Sequence, residues 1–236
     1  MAAPKTVIVT GASQGIGAAI VQVFLDRGYN VVATSRSLSK AGFAPSPHLA
    51  LIDGDIGQAA TAATVTQAAV SKFGSIDHLV NNAGIFASKP FTDYTAEDFH
   101  AFVSTNLGGF IFVTQLAVKQ MLSQGTDGSV TTITASLADN PIAGLPASIP
   151  MMTKGGLDAI TLSLASEYAI NKIRFNAVAP GVVDTPLHKN NPKPRSAMGT
   201  ISEAKDIADA VVYLAEADHV TGEVLHVDDG AHVGKW

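Results

Sequence analysis

The stretch TVIVTGASQGIGAAI (6–20) decides the fold of this chain. It begins as an apolar, β-branched run, passes through Gly11, Gly15 and Gly17, and continues with helical spacing. Glycines permit a tight turn and let the backbone approach a pyrophosphate, while the start of the following helix offers free N–H groups and a positive dipole end. The order of strand, glycine-rich turn and helix therefore predicts a dinucleotide-binding turn.

Short β-branched runs alternate with longer helical segments along the rest of the chain. The predicted strands are residues 5–10, 30–35, 49–53, 77–82, 129–134, 173–179 and 223–228. The predicted helices are residues 15–27, 58–73, 95–123, 151–170 and 203–216. This alternation is typical of βαβ units, whose parallel strands are covered on both faces. We therefore expect an α/β fold, a three-layer doubly wound parallel sheet (Rossmann fold) of about seven strands.

Three features lie outside this regular alternation. Gly28 is suited to end the first helix. Residues 37–48 contain two prolines and little periodicity, which predicts a short or missing second helix. Residues 187–200 form a long, polar, proline-containing loop of the kind that often serves as a lid. There is no repeat, linker or shift in composition, so we expect one domain over 1–236.

Composition excludes several classes of function. The 236 residues are 47% hydrophobic with a formal net charge of −5 and no basic run, which argues against nucleic-acid binding. Cysteine is absent, so disulfides and thiolate chemistry are excluded, and the seven histidines show no ligand spacing, so no metal is expected. The N-terminal apolar run is too short for a signal peptide, and no stretch reaches the roughly 18 apolar residues of a membrane span. We expect a cytoplasmic protein.

The spacing G-x-x-x-G-x-G resembles the short-chain dehydrogenase/reductase family, and the resemblance extends along nearly the whole chain. The strings that carry it are TGASQGIG (10–17), NNAG (81–84), STNLGG around Asn106, TKGGL around Lys154, APGVVDTP (179–186) and TGEVLHVDDG (221–230). It implies an oxidoreductase that uses a nicotinamide cofactor. It also implies a homodimer or homotetramer packed through the apolar helices 95–123 and 151–170.

The resemblance implies a set of cofactor-binding residues. They are Gly11, Ser13, Gln14, Gly15, Ile16, Gly17, Ser35, Arg36, Asp55, Ile56, Asn82, Ala83, Gly84, Lys154, Pro180, Gly181, Val183 and Thr185. Thr185 is expected near the nicotinamide carboxamide. Asp55 matches the position that receives the adenine amino group, although an aspartate that caps a loop or helix would look the same.

The end of the second strand favours NADP(H) over NAD(H). An acidic residue there would bind the 2′-hydroxyl of the adenosine ribose and repel a 2′-phosphate. This chain has Ser35, Arg36 and Ser37 instead, and a guanidinium can clamp a phosphate with two parallel hydrogen bonds. The alternative is that Arg36 is a solvated surface charge. Gln14 stands where some NADP-preferring relatives carry a second basic residue.

The family's proton-donating tyrosine is missing from this chain. In the family it lies four residues before the lysine, and positions i and i+4 share one helix face. Here the residue four before Lys154 is Pro150, and neither Pro150 nor Met151 has a proton to give. Of the four tyrosines, only Tyr94 is predicted on a loop that could reach inward, and we do not expect it to do so.

The resemblance implies three other catalytic residues. Asn106 corresponds to the asparagine that supports a water relay, and Lys154 to the lysine that holds the ribose. The serine that orients the substrate is assigned to Ser136 by counting back from Lys154, whereas counting from Gly128 points to Ala135. Substitute proton donors would be Ser136, Asp139 or His188.

Two functions from different classes are consistent with this pattern. The first is an NADP(H)-dependent oxidoreductase that transfers hydride between nicotinamide and a small, uncharged carbonyl, imine or activated-alkene substrate. The alternative is a catalytically weak or inactive NADP(H)-binding sensor, and dehydrogenation of an alcohol is a third idea. Specificity is expected from residues 86–95, 138–150 and 187–200, which carry few charges.

Overall fold

A seven-stranded parallel sheet forms the centre of the computed structural model, which describes residues 3–38, 41–187 and 196–234. The strands are β1 (Thr6–Thr10), β2 (Asn30–Ser35), β3 (Leu49–Asp53), β4 (His78–Asn81), β5 (Gly128–Ile133), β6 (Ile173–Pro180), β7 (Val183–Asp184), β8 (Ser202–Glu203) and β9 (Val224–Val227). The sheet order is β3-β2-β1-β4-β5-β6-β9, with β7 and β8 paired separately. The seven predicted strands are confirmed to within one residue at each end.

Helices cover both faces of this sheet. They are α1 (Gly15–Asp26), α2 (Ala59–Phe73), α3 (Ala96–Phe102), α4 (Gly109–Gln124), α5 (Ser148–Tyr168) and α6 (Ala204–Glu216). Val7 and Val9 of β1 pack in one core with α1 and α6, whereas Ile8 packs in the other core with α2, α4 and α5. Because successive side chains of a strand point to opposite faces, both faces of β1 are apolar. The three-layer Rossmann fold is confirmed.

The sheet order places a crevice between β1 and β4. From β1 the chain first adds β2 and β3 on one side and then returns to add β4 to β6 on the other. The crossover connections therefore leave in opposite directions at the C-terminal ends of β1 and β4. Ligands of doubly wound sheets bind at such a switch point. The turn 11–14 between β1 and α1 lies at this place.

Helix α5 begins at Ser148, three residues earlier than predicted. The sequence interpretation took Pro150 as the residue before the helix, but it is the third residue within it. Proline is tolerated there because the first-turn N–H groups of a helix have no partner within the helix. Pro150 and Lys154 consequently lie on the same helix face, one turn apart.

The predicted helix 95–123 consists of three parts. A capping box of Thr95 and Asp98 starts α3, and a π-helical segment (Val103–Gly108) separates α3 from α4. By length and composition alone the run Ala96–Gln124, with mean hydropathy 1.5, could cross a membrane. However, 44% of its most apolar window is buried in the protein, and α4 packs beside α2 in a sheet-facing core. Burial therefore accounts for only part of its apolarity, and by length and composition the run differs from the expectation that no stretch reaches a membrane span.

The remaining predicted segments have mixed outcomes. Gly28 follows the end of α1 with a φ of 80°, a conformation that favours glycine. Among the described residues between β2 and β3 there is no α-helix and only Leu38 is 3₁₀-helical, in agreement with the expected short or missing helix. In the loop 187–200, residues 188–195 and with them His188 lie outside the described ranges. The pairing of β7 with β8 joins the two sides of this loop, which the sequence did not predict.

Candidate active site

A cleft of about 970 Å³ runs along the C-terminal ends of the strands. Every residue predicted to bind the cofactor lines this cleft, and so does Ser136. The third predicted catalytic residue, Asn106, is buried behind the cleft wall. Ile85, Thr105 and Ala231 also line the cleft and were not predicted, because single residues beside the motifs carry no signal of their own.

The glycine-rich turn forms a cradle that no larger side chain could share. A Cβ on Gly17 would lie 2.3 Å from the carbonyl oxygen of Gly11 and 2.5 Å from Nδ2 of Asn82. Gly11 and Gly15 have φ angles of 66° and 55°, which favour glycine. Helix α1 starts at Gly15 with no acidic residue in its first turn, and Gln14 makes no side-chain cap. The free N–H groups of this turn therefore face the cleft and suit an anion.

The NNAG motif ties β4 to the glycine-rich turn. Nδ2 of Asn82 donates to the carbonyl oxygens of Thr10 and Gly11, both at 3.0 Å. The backbone N–H groups of Asn82 and Ala83 donate to Oγ1 of Thr10 at 3.1 and 3.0 Å. These bonds span the sheet crevice. Asn82 thus shapes the cradle through the backbone of its neighbours.

The end of β2 presents the Arg36 guanidinium to the cleft. Arg36 is exposed and forms no ion pair or hydrogen bond with the described residues. Beside it, Asp53 of β3 accepts a hydrogen bond from the N–H of Leu38 at 2.6 Å, which holds the turn that follows Arg36. The sequence interpretation missed Asp53, which register places opposite Ser35. Asp55 accepts a hydrogen bond from the N–H of Gly57 at 2.9 Å, so one of its carboxylate oxygens stabilises the loop after β3.

Lys154 lies at the other end of the cleft. Its Nζ donates to the carbonyl oxygen of Ile133 at 2.7 Å. A Cβ on Gly84 would come within 3.2 Å of this Nζ, so the absence of a side chain at Gly84 leaves the ammonium accessible to the cleft. Desolvation lowers the pKa of Lys154 to about 8, and the negative charge of Asp158 opposes this shift. The remaining ammonium protons are available to a ligand, because the ammonium has three donors.

Asn106 holds the cleft wall together from behind. Its Oδ1 accepts from the N–H of Ile85 at 2.9 Å, and its Nδ2 donates to Oγ1 of Thr153 at 2.9 Å. Thr153 in turn donates to the carbonyl oxygen of Pro150 at 2.7 Å. Asn106 sits in the π-helical segment, a local widening often found at functional sites. The amide therefore fixes the start of α5, and so the placement of Lys154.

Ser136 and Ala135, the two candidates for the family's serine position, both line the cleft. The cleft therefore does not distinguish between them. The Ser136 hydroxyl forms no hydrogen bond with the described residues. It starts a single 3₁₀ turn after β5.

None of the four tyrosines lines the described cleft. The Tyr94 hydroxyl donates to the carbonyl oxygen of Ala87 at 2.8 Å and so supports the loop 86–95 from outside. Tyr29 binds Glu216 at 3.1 Å on the far side of the sheet.

The wall beyond Lys154 is apolar. The side chains that form it are Phe86, Leu137, Ile142, Leu145, Met151 and Leu187. Asn140 is the amide among the cleft-lining residues on this side, beside the Ser136 hydroxyl. The described residues thus form a compartment that suits an uncharged ligand, because a buried charge without a partner is costly.

These features fit a dinucleotide. The Gly11–Gly17 cradle and the start of α1 would receive a pyrophosphate, the unpaired guanidinium lies at the β2 end, and a partly unsatisfied ammonium lies at the β5 end. The fold and the site together define a Rossmann-type dinucleotide-binding protein.

Comparison with known proteins extends this conclusion. Residues 11–232 match the family model described as enoyl-(acyl carrier protein) reductase. The 3beta-hydroxysteroid dehydrogenase 1 of Eggerthella lenta is 33% identical over 248 residues, covering 96% of this chain and 93% of that protein. Among solved structures, a 3-ketoacyl-(acyl-carrier-protein) reductase from Brucella melitensis, complexed with NADH, has a TM-score of 0.90 and 28% identity, over 98% and 99% of the two chains.

A second solved structure is that of ElxO with NADP bound. It has a TM-score of 0.89 and 28% identity, over 98% of this chain and 100% of that one. A tyrosine-to-phenylalanine variant of ElxO with NADPH bound matches equally well. This chain belongs to the short-chain dehydrogenase/reductase family. The relatives named here include oxidoreductases, and the three named structures with a bound ligand hold NADH, NADP or NADPH.

Proposed function

We propose that this chain is an NADP(H)-dependent oxidoreductase that acts on a small, uncharged substrate without help from a tyrosine. The observation that carries the proposal is the composition of the reactive end of the cleft. It contains Lys154, Ser136 and apolar side chains, and Pro150 occupies the place one turn before the lysine. The substrate is therefore one whose reduction depends little on a phenolic proton.

Two substrate types meet this condition. An iminium carbon accepts hydride without simultaneous protonation, and a conjugated alkene yields an enolate that water can protonate. The family description, enoyl reductase, supports the activated alkene. A ketone remains a slower substrate, because a positioned acid contributes about 10²–10⁴-fold.

Each part of the chain has a role in this proposal. When bound, the reduced nicotinamide supplies the hydride. Arg36 holds the 2′-phosphate, the start of α1 holds the pyrophosphate, and Lys154 holds the ribose hydroxyls. Ser136 donates to the substrate heteroatom, and the apolar wall excludes water. Asn106 keeps Lys154 in place through Thr153 and the first turn of α5.

The proposal is tested by NADPH oxidation over a panel of ketones, imines and enones, together with calorimetric titration of NADPH and NADH. Turnover of imines or enones above ketones supports it. Tight NADPH binding without turnover of any substrate favours the sensor. If neither dinucleotide binds, both functions are excluded.

The preference for NADP(H) leads to a prediction at Arg36. We expect Arg36→Ala to weaken NADPH binding about 10–100-fold, because charge-assisted hydrogen bonds to a phosphate are lost. NADH binding should change less than about twofold, since that molecule has no 2′-phosphate. The measurement is calorimetric titration of both dinucleotides. Arg27→Ala is the matched control, because Arg27 is exposed and pairs with Glu216 away from the cleft. Equal losses for both dinucleotides would contradict the assignment.

The missing tyrosine leads to a prediction at Pro150. We expect Pro150→Tyr to raise ketone reduction about 100-fold, because the new phenol lies in the cleft one turn before Lys154. The substitution adds an N–H in the first turn of α5, where none is needed within the helix. Pro150→Phe is the control, since it adds the same ring without the hydroxyl. Equal activity of the two variants would show that the phenol does not act as an acid.

We also propose a homodimer or homotetramer packed through α4 and α5. Exposed Ile111 and Leu122 of α4 line a groove of about 280 Å³, which Leu164 and Tyr168 of α5 also line. Exposed apolar surface of this kind is typical of an interface.

A further inference from the structure

Lys154 is the ionisable side chain at the reactive end of the cleft. Among the described residues that line the cleft, the others with ionisable side chains are Arg36 and Asp55. These two follow β2 and β3, at the opposite side of the sheet from β5, whose last residue Ile133 binds Lys154. Among the described residues, an acid at the reactive end is therefore this ammonium, or a hydroxyl that it polarises.

Asp158 lies one helical turn after Lys154 on the same face of α5. Such i, i+4 pairs are neighbours on a helix surface. Oδ1 of Asp158 is enclosed by protein and has no hydrogen-bond partner among the described residues. Burial raises the pKa of Asp158, with the positive charge of Lys154 among the opposing effects. A buried carboxylate with an unsatisfied oxygen is costly unless a nearby cation compensates it.

Other charged groups face Asp158 from the elements packed against α5. Asp139, in the turn after β5, raises the Asp158 pKa, while His226 of β9 and the Thr134 hydroxyl lower it. Asp139 and His226 are 3.1 Å apart and pair with each other near the surface. The His226 ring stacks on His232 at 4.2 Å, and His232 binds Asp228 at 2.9 Å. Asp139 and Asp228 each bind a histidine, whereas Asp158 is the carboxylate whose charge acts on Lys154.

We propose that Lys154 is the proton donor of this site and that Asp158 is a positioning residue that keeps the Lys154 ammonium charged. In the transfer, one N–H bond of the ammonium breaks and its electron pair stays on nitrogen. The proton bonds to the substrate atom made electron-rich by reduction, and the neutral amine regains a proton from water. The inference rests on the proposed function, with the reduced nicotinamide as the reductant.

The first test does not require turnover. Competitive acetylation across a pH series, read by mass spectrometry of the Lys154 peptide, gives the titration midpoint of this lysine. In Asp158→Asn, we expect the midpoint to move to lower pH by about one pH unit, because an opposite charge one turn away is lost. Asp158→Glu should restore most of the wild-type midpoint. Asp209→Asn, on an exposed face of α6, is the matched control, and exposed Lys172 serves as an internal reference.

The second test is the pH dependence of kcat for enone reduction at saturating NADPH, because the enolate formed from an enone needs a proton and weaker cofactor binding does not then limit the rate. The ammonium is present below its pKa of about 8 and is lost above it, so the rate should fall as the pH rises through this value. In Asp158→Asn this fall should begin at lower pH, by the same amount as the labelling midpoint moves. A purely structural role of Asp158 would lower the rate equally at every pH.

Each result decides a part of the proposal. An unchanged labelling midpoint in Asp158→Asn overturns the role of Asp158. A midpoint that moves while the pH–rate profile does not overturns the role of Lys154 as donor. If NADPH binds and no substrate is reduced, the proposed function fails and the donor role fails with it, whereas labelling still decides whether Asp158 sets the charge of Lys154.

Discussion

Gly17→Ala should abolish dinucleotide binding, with a loss of affinity above about 100-fold, and should lower the free energy of unfolding by about 3 kcal/mol. The new Cβ would lie 2.3 Å from the carbonyl oxygen of Gly11 and 2.5 Å from Nδ2 of Asn82. These two atoms bind each other, so the methyl group would separate a hydrogen-bonded pair that joins β4 to the cradle. Backbone cannot move aside as a flexible side chain can. Denaturant unfolding and NADPH titration measure the two effects.

Gly156→Ala is the matched control for this substitution. Gly156 lies in α5, and a Cβ there would meet nothing within 4 Å. It should bind NADPH normally and gain about 0.5–1 kcal/mol of stability, because alanine is the better helix former. If Gly17→Ala matched this control in both measurements, neither the fold nor dinucleotide binding would depend on the close contact of Gly17 with Gly11 and Asn82.

The second large effect is expected at Lys154. Lys154→Met retains the length of the side chain but removes its charge and its three donors. We expect kcat/KM to fall about 10³-fold or more, since both ribose binding and proton supply are lost. NADPH affinity should fall about 10–100-fold, because hydrogen bonds from a charged donor disappear. Steady-state kinetics and calorimetry separate the two losses.

The folded state should tolerate this substitution. The apolar replacement removes a desolvated ammonium but leaves Asp158 without its nearby cation, so the two effects oppose each other and we expect the free energy of unfolding to change by less than about 1 kcal/mol. Lys205→Met is the control, because Lys205 is exposed and pairs with Asp209 far from the cleft. Wild-type kinetics in Lys154→Met would remove this residue from the active site, whereas a collapse in stability would reassign it to the core.

The strands, the main helices and the family could be predicted because each depends on local pattern. The run TVIVT (6–10) is buried at every position because both faces of β1 are covered, and its apolar, β-branched centre Val7–Val9 shows this requirement in the sequence. The glycine-rich turn could also be predicted from the sequence, because no other residue fits at positions such as Gly11 and Gly17. The absence of tyrosine at position 150 could also be counted directly.

The start of α5 and the contacts of Asn106 could not be predicted in this way. Pro150 signals a boundary in a sequence, yet it sits within the helix because first-turn N–H groups need no helical partner. The assignment of Asn106 to the reacting centre stays a prediction, and the structure adds that its amide binds Ile85 and Thr153, which are distant from it in sequence. The sequence did not identify Asp53, because only the register of β2 with β3 brings it opposite Ser35.

The sequence by itself determined the three layers of helices and sheet, the order of the cofactor-binding motifs along the chain, and the lack of a tyrosine one turn before Lys154. These follow from side-chain type and spacing, which act over a few residues. The tertiary structure alone decided which charges meet: Arg36 without a described partner, Asp158 beside Lys154, and Asp139 paired with His226. Some of these pairs join residues that are remote along the chain. Others join neighbours on one helix face, and the elements packed against that face decide how deeply they are buried. Their energies depend on burial and distance, which exist only once the sheet and helices have packed.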